Sequence, residues 1–380
     1  MADLITNAMQ SAVEERIFPG AVLLVQFRGQ PVYQGAFGCA TLIPQPEPAT
    51  LETLYDLASL TKPLATTTAI LCLVQDGTLR LDDTLGSYFQ ELHAKEIAAA
   101  TVCHLLHHSS GLPGWRPLYE DIAAQDRQHP GFLGSEAARE FAVTHIGQEA
   151  LVYMPGAKSL YSDLGFILLG LLIERVTSLS LARFCLERIY QPIGTEHLLF
   201  VPSAEGGVDG HYVTPGSIAS TEEDPWRRRL LRGEVHDENA YALGGIAGHA
   251  GLFGTAAAVM TLADVWLNGY LGRSSFFNMD LVRRFVARDS NTPGSSWGLG
   301  WDTPSRPSSS GQHLSSQSFG HLGFTGTSLW IDPCVELEVV LLSNRVHPNR
   351  QDTRIQQFRP LIHDMVYETI VGKTSREEVR

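Results

Sequence analysis

Strand-like segments lie near the two ends of this 380-residue chain, and helical patterns fill its middle. Residues 20–40 read as two strands joined at Arg28-Gly29-Gln30. Four more strand-like segments follow near the other end, at 295–302, 317–326, 327–333 and 336–345. Apolar residues recur at helical spacing between these groups, at 61–75, 134–146, 163–178 and 180–190. Because strands must pair, this order predicts one antiparallel sheet assembled from both ends of the chain.

The predicted fold class is therefore α+β. Residues 1–18 and 355–371 are expected to form terminal helices that flank the antiparallel sheet. The expected organisation is an α/β lobe of about 1–60 and 290–380, with a mainly helical lobe of about 61–289 inserted into it. Clefts between two such lobes commonly bind ligands.

Composition excludes several classes of partner. The formal net charge of −13 argues against nucleic acid or an anionic membrane surface. No run of 18 or more apolar residues is present, so no transmembrane segment is expected. The N-terminal segment lacks the basic start and apolar core of a signal peptide. A cytoplasmic location is therefore expected for the sequence as it stands, and a periplasmic or extracellular one if a leader was removed.

Cysteine and histidine patterns point away from disulfides and metals. The five cysteines are scattered, which indicates reduced thiols rather than a disulfide framework. His236-Asp237-Glu238-Asn239 has ligand-type side chains but lacks a zinc-binding spacing. We therefore expect no metal and no cofactor.

Ser59-Leu60-Thr61-Lys62 is the tetrapeptide with the most chemical content. A serine hydroxyl needs an adjacent base to act as a nucleophile, and a side chain three residues further along a helix lies on the same face. Burial and the positive end of the helix dipole would lower the pKa of Lys62, as a base requires. The alternative is structural, with Ser59 as a helix N-cap and Lys62 as a solvated residue of the first turn. This segment alone leaves both interpretations open.

Two further motifs are equally ambiguous when taken singly. Tyr161-Ser162-Asp163 precedes an apolar helical segment, so Tyr161 is either a site residue or a ring packed at a helix entry. His321-Leu322-Gly323-Phe324 lies in a strand-like segment whose glycines allow close approach of a ligand or form a bulge.

Together and in this order, the three motifs resemble those of the serine β-lactamase-like or penicillin-binding-protein-like superfamily. The class C β-lactamase, DD-peptidase and esterase branch is the most similar, with its Ser-x-x-Lys, Tyr-x-Asn (or Tyr-Ser-Asp) and Lys-Thr-Gly or His-x-Gly motifs. The resemblance covers nearly the whole chain and implies a single catalytic domain, 1–380, of the β-lactamase/transpeptidase-like fold.

The resemblance also implies roles for individual residues. Ser59 would attack an acyl carbonyl and form an acyl-enzyme, while Lys62 and Tyr161 would shuttle the proton. The backbone N–H groups of Ser59 and Phe324 would form the oxyanion hole. Asp163, His321 and Gly323 would line the site.

His249, in Gly248-His249-Ala250-Gly251, is a candidate for the rim of the cleft. A turn histidine without a role in the site is the equal alternative.

Two departures from the family pattern bear on substrate and mechanism. Leu322 lacks the hydroxyl of Lys-Thr-Gly and His321 is only partly charged at neutral pH, so carboxylate recognition is weakened unless an arginine substitutes. Asp163 in place of Asn supports a charged Lys62 and opposes the lowered pKa considered above. We expect slow β-lactam hydrolysis and easier ester hydrolysis. Efficient nitrocefin turnover together with failure on short p-nitrophenyl esters would contradict this expectation.

The predicted function is that of a serine acyl hydrolase of the esterase or amidase type. Its substrate would be a small ester, amide or β-lactam-like molecule, or a peptide derived from peptidoglycan. A DD-peptidase or a weak class C-like β-lactamase is the alternative within this chemistry. A non-catalytic protein that binds cell-wall fragments is the alternative from another class.

Overall fold

A six-stranded antiparallel sheet joins the two ends of the chain in the computed structural model, which describes residues 2–195, 197–203 and 218–377. Its strand order is β3-β2-β1-β11-β10-β9. Two smaller sheets have the orders β4-β8-β5 and β6-β7. The strands are β1 Gly20–Phe27, β2 Gln30–Thr41, β3 Glu47–Pro48, β4 Tyr55–Asp56, β5 Leu198–Phe200, β6 Glu223–Asp224, β7 Arg229–Leu230, β8 Leu252–Gly254, β9 Phe319–Leu322, β10 Ser328–Asp332 and β11 Leu337–Ser343.

Helices cover both faces of the large sheet and fill the middle of the chain. The α-helices are α1 Ala2–Glu14, α2 Thr68–Gln75, α3 Val102–Leu106, α4 Leu118–Gln128, α5 Glu136–Gln148, α6 Asp163–Thr177, α7 Leu181–Cys185, α8 Glu238–Ala242, α9 Ala256–Leu271, α10 Met279–Val286 and α11 Ile355–Glu377. Two π-helical segments, Lys62–Thr67 and Leu186–Tyr190, precede α2 and follow α7. Short 3₁₀ turns lie at Ala58–Leu60, Leu85–Ser87, Gln90–Leu92 and Glu96–Ala99.

The two central strands explain why their sequences are continuously apolar. Leu23 of β1 and Val339 of β11 belong to a core shared with α1 and α11, on one face of the sheet. Val22 and Val340, their neighbours in sequence, belong to the larger core on the opposite face, where α9 packs. Successive side chains of a strand point to opposite faces, so a sheet covered on both sides needs apolar residues at nearly every position. The predictions of an α+β fold and of a sheet built from both ends are confirmed.

The predicted strand at 295–302 is wrong. Gly300 has a φ of +74°, and the Gly298 N–H donates to the Trp301 carbonyl at 2.8 Å, so the segment forms a tight turn. Only isolated bridges remain, from Trp297 to Asp302 and from Asp302 to Gly320 of β9. The glycines that were interpreted as part of a strand permit this reversal instead.

Further features differ from the sequence prediction or complete it. The helix expected over 61–75 begins as a π-helical segment at Lys62, and α4 had no counterpart in the sequence prediction. Residues 204–217, within the part of the chain expected to form the helical lobe, lie outside the described residues. All five cysteines are free.

Among the described residues, no single helix is long and apolar enough to span a membrane. The helical segments Asp163–Thr177 and Leu181–Tyr190 meet these criteria only when taken together, and they are bent by 75° relative to each other.

Candidate active site

Ser59 and Lys62 lie side by side where a 3₁₀ turn runs into the π-helical segment. The Lys62 Nζ donates a hydrogen bond of 3.0 Å to the Ser59 Oγ. Neither of these two described segments has a side-chain N-cap, so Ser59 does not act as the cap that was the structural alternative. The arrangement gives the hydroxyl the neighbouring amine that activation of a serine requires.

The turn that carries Ser59 is held in an unusual backbone conformation. Ala58 has a φ of +47°, a region that non-glycine residues rarely occupy. Its N–H donates to the Asp56 Oδ1 at 2.8 Å, and the Thr325 Oγ1 donates to the Asp56 carbonyl at 2.8 Å. The Thr327 Oγ1 donates to the carbonyl of Leu57 at 3.1 Å. Such strain persists only where surrounding contacts fix it, and here they come from the loop that joins β9 to β10.

Lys62 is fully buried and has three oxygen partners. Besides Ser59, its Nζ donates to the His249 carbonyl oxygen at 3.1 Å and forms an ion pair with the Asp163 Oδ1 at 2.6 Å. Burial acts to lower the pKa of Lys62, but the Asp163 carboxylate and Tyr161 outweigh it, so the pKa is raised above its ordinary value. Of the two states that the sequence left open, the structure favours the charged lysine.

Tyr161 and Asp163 reach this lysine from the entry of α6. The Lys62 Nζ lies 4.8 Å from the centroid of the Tyr161 ring. Burial is the main influence that raises the pKa of Tyr161, and the charge of Lys62 opposes it only in part, so the phenol keeps its proton at neutral pH. Ser162 caps α6 by accepting a hydrogen bond from the Gly165 N–H. Asp163 is the first residue of this helix, where the dipole stabilises a carboxylate.

His321 and Gly323 bring β9 against the nucleophile turn. Burial, followed by the charge of Lys62, lowers the pKa of His321 to about 3, so the expectation of a partly charged imidazole is wrong. Its Nδ1–H donates to the Leu322 carbonyl at 2.8 Å, which leaves the Nε2 without a partner among the described residues. A Cβ at Gly323 would overlap the Thr327 Oγ1 and come within 2.6 Å of the Leu57 carbonyl oxygen. Glycine at 323 is therefore what permits this close approach.

His249 does not lie at the rim of the cleft. Only 1% of its surface is exposed, and its Nε2–H donates to the Asp237 Oδ1 at 2.8 Å. Its contribution to the site is the backbone carbonyl that accepts from Lys62. The backbone of His249, not its side chain, therefore contacts the Ser59–Lys62 pair.

A cavity of about 320 Å³ opens beside Ser59 and is lined by five of the eight residues that the sequence singled out, together with residues that it missed. The five are Ser59, Tyr161, His321, Gly323 and Phe324, of which Phe324 is 49% exposed. Lys62, Asp163 and His249 do not line the cavity. The missed residues include Trp297, Asp302, Arg345 and Arg359.

Two buried arginines give one end of the cavity a positive charge. The Arg359 Nη2 donates to the Gly323 carbonyl at 2.5 Å, and the Arg345 Nε donates to the Phe324 carbonyl at 2.8 Å. Neither guanidinium forms an ion pair with a carboxylate in the described parts of the chain. Burial lowers the pKa of Arg359 to about 9, with the neighbouring Arg345 adding to the effect. No local sequence pattern marks these arginines, because they lie on segments remote from all three motifs.

A metal-binding arrangement is not seen in the described residues, where no group of three or more His, Cys, Asp or Glu side chains is placed to hold an ion. The site consists of the serine, the lysine, the tyrosine and the charged groups around them. This set is suited to acyl transfer through a covalent intermediate.

Comparison with known proteins identifies relatives over most of the chain. The model of the beta-lactamase family matches residues 2–362. A protein of Escherichia coli K12 named "Putative D-alanyl-D-alanine carboxypeptidase" is 34% identical over 372 residues, which cover 90% of this chain and 82% of that protein. A protein of the same name from Salmonella typhi is 34% identical over 358 residues, covering 87% of this chain and 79% of the relative.

Solved structures share the fold at lower identity. The hydrolase EstCE1, described as having promiscuous acyltransferase activity, has a TM-score of 0.73 at 21% identity, covering 95% of this chain and 98% of its own. The octameric penicillin-binding protein homologue from Pyrococcus abyssi has a TM-score of 0.73 at 21% identity, covering 97% of this chain and 77% of its own.

Proposed function

We propose that this chain, which belongs to the beta-lactamase family of serine hydrolases, is a serine acyl hydrolase that forms an acyl-enzyme on Ser59. Small esters and amides are the proposed substrates. The observation that carries the proposal is the hydrogen bond of 3.0 Å from Lys62 to the Ser59 Oγ at the wall of an open cavity. A protein that only binds its ligand has no need of a buried lysine beside a serine.

The charged state of Lys62 sets the path of the proton. An ammonium cannot accept the Ser59 proton until it has lost one of its own, and the Asp163 Oδ1 lies 2.6 Å away to receive it. We therefore assign Asp163 as the temporary acceptor. As the Ser59 Oγ bonds to the acyl carbon, the Ser59 proton moves to Lys62 while a Lys62 proton moves to Asp163. The proton then returns through Lys62 and Tyr161 to the leaving group as its bond to the acyl carbon breaks. In the second half-reaction water attacks the acyl-enzyme, and its proton takes the same path to the Ser59 Oγ.

The oxyanion of the tetrahedral intermediate would accept hydrogen bonds from the N–H groups of Ser59 and Phe324. Neither N–H has an acceptor among the described residues. The strained turn at Ala58 and the close approach of Gly323 hold these two segments together. Removing one such donor typically costs about 10²–10³ in rate, so the backbone geometry matters as much as any side chain.

A carboxypeptidase acting on a peptide with a free C-terminal carboxylate is the second candidate. Arg345 and Arg359 favour it, because two arginines without carboxylate partners suit an anionic group of the substrate. They would replace the hydroxyl that Leu322 lacks. The name of the relatives at 34% identity points the same way.

Active-site labelling tests the proposed function. The wild-type protein and a Ser59→Ala variant are treated with a fluorescent fluorophosphonate and a fluorescent penicillin. We expect at least one probe to label the wild type and neither to label Ser59→Ala. Ser316→Ala, which removes an exposed serine that does not line the cavity, is the matched control and should label like the wild type. Absence of labelling by both probes on folded wild-type protein would favour the non-catalytic binding protein.

A further inference from the structure

Asp302 contributes a carboxyl group, opposite in charge to the two arginines when ionised, to the wall of the cavity beside Ser59. Its backbone pairs with Gly320, with N–H to carbonyl distances of 2.8 and 2.9 Å in the two directions. Arg359 binds the carbonyl of Gly323. Asp302 and Arg359 thus contact the same segment three residues apart, Asp302 at Gly320 within β9 and Arg359 at Gly323 just after it.

One oxygen of the Asp302 carboxylate is left for a ligand. Both internal donors, the Ser296 hydroxyl at 2.6 Å and the Thr303 N–H at 3.0 Å, bond to Oδ1. The Oδ2 has no hydrogen-bond partner in the described parts of the chain, and Asp302 forms no ion pair there. Arg288, the cation that acts on it electrostatically, donates instead to the carbonyls of Ser295 and Pro304.

Trp297 sits directly across an antiparallel bridge from Asp302. Side chains opposite one another in such a pair lie on the same face, with Cβ atoms about 4.5–5.5 Å apart. The Trp297 ring is also 5.4 Å from the Tyr161 ring and 5.4 Å from the His321 ring, so it faces the reacting groups. A carboxylate beside an indole is suited to a cation, since the carboxylate supplies the opposite charge and the ring supplies a cation–π contact.

The raised pKa of Asp302 agrees with a carboxyl group that has no cation bound to it in the described parts of the chain. Burial raises the pKa of this carboxyl to about 6, and the hydrogen bonds from Ser296 and Thr303 offset the effect only in part. A bound ammonium would stabilise the charged form.

We propose that Asp302 and Trp297 bind an ammonium group of the substrate, which makes them specificity determinants of the acyl transfer at Ser59. The inference rests on the proposed function and adds the chemical class of the substrate: an ester or amide that carries a cationic group within reach of the scissile bond. A zwitterionic substrate would place its ammonium group at Asp302 and Trp297 and its anionic group at the two arginines at the other end of the cavity.

Two matched pairs of substrates test the proposal. The first pair is butyrylcholine and its neutral isostere, in which a quaternary carbon replaces the nitrogen. The second pair is D-alanyl-p-nitroanilide and its N-acetyl derivative. The cation lies in the leaving group of the first pair and in the acyl group of the second. We measure kcat/KM for each compound and take the ratio within each pair.

The wild type is expected to prefer the cationic member of at least one pair by about 10-fold or more, as for a hydrogen bond to a charged group. Asp302→Asn should bring that ratio close to one, and Trp297→Leu should reduce it in part. Asp280→Asn, which removes an exposed carboxylate on α10, is the control and should leave it unchanged.

Ratios near one in both pairs on the wild type, or a preference that survives in folded Asp302→Asn, would overturn the inference alone. The wild-type ratios require no variant to fold. Absence of Ser59 acylation by all four compounds and by both labelling probes would overturn the proposed function and this inference with it.

Discussion

At the scale of single residues, Asp163 decides how the site handles protons. The Lys62 Nζ is buried, and burial alone would favour a neutral amine. The carboxylate at 2.6 Å reverses that preference. Substituting asparagine, which the family motif carries at this position, separates the two influences.

Asp163→Asn is expected to lower the pKa of Lys62, because the opposite charge is lost and burial remains. The sign follows from the wild type, in which the carboxylate raises the pKa above its ordinary value. The chain has only four lysines, so NMR titration of ¹³Cε-labelled lysine resolves Lys62, with Lys62→Arg to assign its signal. Asp280→Asn should leave the titration unchanged. An equal or higher pKa in Asp163→Asn would show that the ion pair does not control this lysine.

At the scale of elements, the site depends on how closely the loop between β9 and β10 approaches the nucleophile turn. Thr325 and Thr327 bind the carbonyls of Asp56 and Leu57, while Gly323 provides the space. On the other side, the His236 N–H donates to the Asp56 Oδ2 at 2.7 Å. Asp56 is thus held from two directions beneath Ser59.

Gly323→Ala is expected to reduce kcat by about 10²–10³, because the added methyl group would push the Phe324 N–H away from the Ser59 turn. The steady-state kinetics of p-nitrophenyl acetate hydrolysis measure this loss. Gly372→Ala on α11 is the matched control, since nothing lies within 4 Å of a Cβ placed there, and its kcat should stay at the wild-type value. A wild-type kcat in folded Gly323→Ala would contradict the proposed role of this contact.

Local pattern predicted the elements better than it predicted the cavity. Apolar periodicity located α5, α6 and the β1–β2 hairpin. The three motifs pointed to Ser59, Lys62 and Tyr161, which lie close together in the structure. The local pattern failed at 295–302, where the glycines were compatible with either a strand or a turn. Arg345, Arg359 and Asp302 reach the cavity through tertiary contacts between distant segments. Such contacts leave no trace in the spacing of nearby residues.

At the scale of the whole molecule, the large sheet ties the catalytic parts to both ends of the chain. β1 pairs with β11 along its length, from Ala21 opposite Ser343 to Phe27 opposite Leu337. α1 and α11 pack on one face of this sheet and α9 on the other. α11 also carries Arg359 to the cavity. Stability of the sheet core and assembly of the site are therefore linked through this helix.

Ile362→Ala is expected to lower the free energy of unfolding by about 2–5 kcal/mol, since Ile362 is 1% exposed in the core between α11 and the sheet. Urea denaturation followed by circular dichroism measures the change. Its neighbour Leu361 is 64% exposed, and Leu361→Ala should change stability by no more than ~0.5 kcal/mol. Similar losses in the two variants would contradict the assigned packing of α11.

The central claim is that Ser59 becomes covalently acylated during turnover. Acid-quenched reactions with p-nitrophenyl acetate, a D-alanyl-D-alanine peptide and nitrocefin can be digested and analysed by mass spectrometry. We predict the mass of the acyl group on the peptide that contains Ser59 for at least one substrate, and none in Ser59→Ala. Turnover of a substrate with no adduct on that peptide, or with full activity retained in Ser59→Ala, would contradict the account.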